Sequence, residues 1–121
     1  MPNAAPYEDI VFAVKGQIVA QKMRVTQLGW ADYVFDPSYE LRSLQSVEEY
    51  IKEHGHLPDV PSAKEVENDG VDIGAIQAML LRKIEELTLY VIEQGKRNDE
   101  QQKLIEEQRK MLLELKGQLK K

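Results

Sequence analysis

The spacing of hydrophobic positions changes twice along the chain, and three zones follow from those changes. From Ile10 to Trp30 the apolar residues alternate. Ile10, Phe12 and Val14 share one face, and Ile18 and Ala20 continue it beyond Lys15-Gly16, a turn-forming pair. The alternation predicts short β-strands within a lead-in spanning residues 1–30. Two or three strands alone are marginal in water, so this segment is expected to need a partner, either the helices or copies of itself.

The second zone, residues 31–71, reads as a small mixed collar. Tyr33, Val34, Phe35 and Tyr39 surround a turn at Asp36-Pro37-Ser38. Leu44, Val47 and Ile51 then recur at helical spacing, with Ser46 and Glu49 as a capping box and Gly55 placed to end the helix. Two prolines hold "HLPDVPS" extended. Ser62 and Glu65 offer a second capping box for a short helix ending near Gly70.

From Asp72 to the end the period is that of a coiled coil, with Asp72 as the candidate cap. A heptad laid on residues 72–121 puts Ile73, Leu80, Leu87, Gln94, Gln101, Gln108 and Leu115 at d. It puts Gln77, Ile84, Val91, Asn98, Ile105, Leu112 and Leu119 at a. Gly95 and Asn98 interrupt the good helix formers, and a hairpin at that point would use Gly95 as a stop and Asn98 or Asp99 as a cap. The phase nevertheless never slips, and a hairpin gives no reason to keep Val91 and Ile105 two heptads apart. A continuous helix is therefore expected, roughly 70 Å long at 1.5 Å per residue. No small domain covers such a rod, so it must pair with something. Asn98 at a is the kind of single polar layer that fixes register, and Ile84, Val91 and Ile105 at a are compatible with two or three strands. Before Gly95 the stripe is widened by Met79, Leu81, Leu89 and Tyr90, as suits a helix touching both a partner and the collar.

Composition narrows the setting. Charged residues make up 31% of the 121 and the net charge is -5, which argues against non-specific nucleic-acid binding. There is no cysteine, which removes disulfides and thiolate metal sites. The first twenty residues lack the basic start and apolar run of a secretory signal, and no stretch has the length of a membrane span.

Candidate chemistry is sparse. His54-Gly55-His56 could chelate a metal but lacks a third ligand, and a turn with two ordinary histidines explains it better. Asp32, Asp36 and Glu40 in a turn-rich stretch fit caps and solvated edges better than a glycosidase pair. Ser38, Ser43, Ser46 and Ser62 have no nucleophile context. Glu85-Glu86 and Glu106-Glu107 read as the solvated outer face of the coil. No phosphate-cradling glycine loop is present. No catalytic residue, metal site or cofactor is expected. Trp30, Tyr33 and Phe35 are expected to anchor the collar.

The stretch from Gly29 to Gln94 resembles the C-terminal domain of long bacterial tail-fibre-like and surface adhesin proteins. The resemblance lies in Trp-Ala-Asp-Tyr-Val-Phe at 30–35, Tyr-Glu-Leu at 39–41, Gly-His-Leu-Pro-Asp-Val-Pro-Ser at 55–62 and the run from Leu80 to Tyr90. It covers roughly residues 10 to 95. More distantly, the layout is similar to the intramolecular chaperone domains that end phage tail spikes and endosialidases. The resemblance implies an α+β fold in which the C-terminal helix forms a parallel homotrimeric coiled coil. It also implies a non-enzymatic trimerisation and folding cap at the end of a longer fibre, joined to an upstream shaft. The setting implied is a virion tail or a cell surface. Two alternatives travel with it. One is a tip that contacts host glycans or proteins. The other is a self-cleaving domain, for which the family's serine would fall at Ala31, a residue with no nucleophile.

Overall fold

A computed structural model describes residues 9–26 and 29–120, and three helices account for its regular structure. α1 spans Leu44–His54, α2 spans Ala63–Asp69 and α3 spans Ile73–Leu119. The chain is all-α rather than α+β: no strand occurs among the described residues. The lead-in bends at Lys15-Gly16, where the alternation placed a turn, but no ladder closes on either side of it. The physical reason is a missing partner. Strand propensity reflects packing on a half-buried surface, and here Val11, Phe12 and Val19 stand almost wholly in solvent with nothing to lie on.

Local chemistry sets the helix limits. Ser43 caps α1, its hydroxyl accepting from the Ser46 amide at 3.1 Å, so the helix starts three residues ahead of the Ser46–Glu49 box read from the sequence. Two serines three apart offer the same signal, and the extended backbone of Ser43 decides between them. Gly55 ends α1 in the left-handed conformation at φ 75°, its amide donating to the Ile51 carbonyl at 2.8 Å. Ser62 caps α2 through the Glu65 amide, and Asp72 caps α3 through the Ala75 amide at 2.9 Å. α3 then runs 47 residues, straight through Gly95 and Asn98.

The collar lies along the first third of α3. Its seal is thin: Val34 is 1% exposed, Ala31 and Ala78 are buried beside it, and Pro58 is buried in the loop after α1. The helices themselves hardly pack on one another, and the loops make the contact. A hydrogen bond from the Tyr90 hydroxyl to the Arg42 carbonyl at 2.7 Å ties α3 to the start of α1. Asp36 folds the preceding turn onto itself, accepting from the Ser38 amide at 2.8 Å and its hydroxyl at 2.6 Å. Those bonds hold the Asp36 carboxyl below its ordinary range.

Candidate oligomerisation interface

α3 has two unlike flanks over residues 73–91. One is occupied by the collar. Ala78 and Glu86 are buried there, and Met79, Arg82, Lys83, Leu89 and Tyr90 are half-buried, all at b, c, f or g. The other is the a/d seam, and it is open. Ile73, Leu80, Ile84, Leu87 and Val91 are 51–62% exposed. Beyond the collar the seam continues through Ile105, Leu112, Leu115 and Leu119, also exposed, with Gln94, Asn98, Gln101 and Gln108 as polar layers between. Leu104 and Met111 at g widen the apolar stripe there. The thirteen seam positions thus fall on one continuous face that the described residues leave largely exposed.

A polar cluster fastens the collar to the back of α3. The Glu86 carboxylate lies 3.4 Å from Lys83 Nζ and 3.8 Å from Arg82 Nε, and Asp59 Oδ2 meets the same two cations at 3.7 and 3.8 Å. The Tyr39 phenol faces Glu86, and the Arg82 guanidinium lies beside the Tyr33 phenol. Arg82 Nε itself is buried without a hydrogen-bond partner. The heptad put Glu86 on the solvated face, but the collar closes over it and leaves it 9% exposed. Its position three and four residues after two cations was the available signal, since such pairs are ordinary on any helix.

Burial raises the Tyr39 phenol above its ordinary 10.0, with the Glu86 charge and hydrogen bond as the next causes, and Tyr90 is raised by burial and then by Glu86. A phenol whose pKa is higher folded than unfolded keeps its proton longer in the folded chain. Its contribution is complete below about pH 10 and is lost as pH rises through the folded value. An alkaline titration is therefore expected to show part of the tyrosine signal ionising late and together with release of the collar. Ionisation of every tyrosine in one step at the ordinary value would refute this.

The remaining sequence candidates have structural places. Trp30, Tyr33 and Phe35 sit at the collar surface, each about half exposed, while the sealed residues between them are Ala31 and Val34. Tyr33 packs against Tyr39 with ring centroids 5.8 Å apart. His54 stacks on Tyr50 at 4.1 Å, and His56 meets the same ring edge-on at 5.6 Å. No group of three or more metal-ligating side chains exists among the described residues. Ser43 and Ser62 serve as caps and Ser38 closes the Asp36 turn.

Comparison with models of known protein families, with curated proteins and with solved structures finds no match. The geometry therefore carries the functional argument. Between α1 and α3 lies an apolar groove of about 400 Å³, walled by Leu44, Val47 and Leu57 and floored by Leu80, Ile84 and Leu87. The sequence reading found the floor and missed the wall, because no periodicity links Leu57 to the seam. Among the described residues no helix is long and apolar enough to cross a membrane.

Proposed function

We propose that this chain is a non-enzymatic assembly module whose copies associate in parallel through α3 as a homotrimer. In this reading it caps and helps fold the end of a tail fibre or surface adhesin. The observation that carries the reading is the open a/d seam of a helix whose other flank is already occupied by the collar. A row of exposed Ile, Leu and Val that returns at heptad spacing on both sides of the polar layers marks an interaction surface. Its heptad spacing without slip fits a helix of the same kind. The three-chain stoichiometry and the fibre setting rest on the resemblance of residues 10 to 95 to tail-fibre and adhesin C-terminal domains. Physically, three helices in register hold the segments that precede them at high local concentration, which lowers the entropic cost of assembling those segments. The partners are two further copies and the upstream fibre, and the setting is a virion tail or cell surface.

Absolute mass from light scattering coupled to size exclusion tests the proposal. The expected result is about 42 kDa, three times the 13.9 kDa chain. Twice the chain mass would replace trimer by dimer, and a monomer at micromolar concentration would overturn self-association altogether.

A further inference from the structure

We infer that the groove between α1 and α3 is the seat of a second copy's α3, so that each collar clasps its neighbour's helix as well as its own. This rests on the self-association proposed above and names its contacts. The groove's floor is the seam itself, Leu80 and Leu87 at d and Ile84 at a. Any helix that pairs with those layers must enter the groove and meet the collar wall. Leu44 and Leu57 in that wall are 47% and 44% exposed in the single chain, which leaves apolar surface for the incoming helix to cover.

The direction of the incoming helix follows from which of its edges meets the groove. The groove opens on the g side of α3, where Arg42, Lys83 and Tyr90 line it together with Glu86, the ion-pair partner of Lys83. In a parallel coil the g edge of one helix faces the e edge of the next. Along the collar the e positions are Gly74, Leu81, Thr88 and Gly95, none charged and two without a side chain. Beyond the collar they become Gln102, Arg109 and Lys116. A parallel neighbour brings its uncharged edge to Arg42 and Lys83. An antiparallel neighbour instead brings its own g edge, where Leu104 and Met111 stand, and the fit at Gly95 separates the two arrangements.

Gly95 supports the same arrangement. A Cβ at that position meets nothing within 4 Å in the single chain, so the chain's own packing does not require the missing side chain. In the parallel register Gly95 of one copy lies beside Tyr90 of the next, whose ring is held at g by its bond to the Arg42 carbonyl. The glycine leaves room for that ring, at a cost of roughly 1 kcal/mol in helix propensity relative to alanine.

The test uses the absence of native cysteine. Full-length Leu57→Cys and Thr88→Cys chains are mixed, allowed to exchange, and oxidised, since Leu57 beside Lys83 faces the neighbour's Thr88 in this register. Within one chain the two positions lie on opposite flanks of α3, so a covalent pair joins two copies. With full exchange into trimers, about half of the chains are expected to run as a disulfide-linked pair of one Leu57→Cys and one Thr88→Cys chain, and Leu57→Cys mixed with Met111→Cys is expected to give none. Cross-linking to position 111 instead of 88 would establish the antiparallel arrangement and overturn the inference. Unmodified chains of trimer mass with no link to either position would overturn the clasp alone. A monomer mass would remove the clasp together with the assembly reading.

Discussion

Replacing Leu80 and Leu87 together with aspartate is expected to leave a monomer with an intact collar. Both side chains sit at d layers of the open flank, more than half exposed in the single chain, so the collar does not depend on them. In the assembly each would be buried against its symmetry mates. Losing a leucine there forfeits roughly 1.5–3 kcal/mol of apolar transfer per chain, and the aspartates add like charges converging on one axis. Two layers in each of three chains multiply that loss beyond what the stalk can hold, because its central layers are Gln94, Asn98, Gln101 and Gln108. Scattering mass should fall to that of one chain. Circular dichroism should show lost helix as well, since most helical stability comes from packing of an amphipathic face. A double variant that keeps the parent's mass would refute the seam.

The complementary change is Glu86→Ala, expected to free the collar while the chains stay associated through the whole seam from Ile73 to Leu119. Removing this carboxylate leaves Arg82 and Lys83, whose side chains are largely enclosed, with Asp59 as their remaining carboxylate partner. Breaking a buried pair by deleting one member costs about 3 kcal/mol. Against that stands a seal of Val34, Ala31 and Ala78, too small to absorb such a loss. Hydrogen exchange should rise across residues 31–71 and remain slow in the second half of α3. Unchanged protection of the collar would mean that the Tyr90–Arg42 bond and the loops hold it without the carboxylate. Glu86→Gln should be milder, because the amide oxygen can still accept from Lys83.

Whether an element was legible in the sequence depended on how local its cause was. α3 was readable from end to end because Asp72 caps it by itself and its heptad repeats without slip. Gly95 did not stop it because a single glycine costs less than the turns on either side contribute. α2 was equally plain, since Ser62 and Gly70 bracket it. α1 was misplaced at its start only because Ser43 and Ser46 present the same cap three residues apart. The lead-in misled for a different reason. Its Val and Ile content records a preference for pleated, half-covered surfaces, and pairing is a property of two segments rather than one. Glu86 misled likewise: the heptad counts faces of an isolated coil and knows nothing of a loop that folds back through Asp59 and Tyr39. The collar wall of Leu44 and Leu57 was invisible because it joins the seam only in space.

The reach of α3 past the collar also governs how the particle moves. About thirty residues project beyond Tyr90, a bare stalk of roughly 45 Å at helical rise. Three such stalks bundled together would tumble as a rod rather than a sphere, with drag far above that of a globule of equal weight. Such a particle leaves a gel-filtration column early and sediments slowly. Elution volume read against globular standards would then make a trimer look like a larger assembly, while its sedimentation coefficient would make it look smaller.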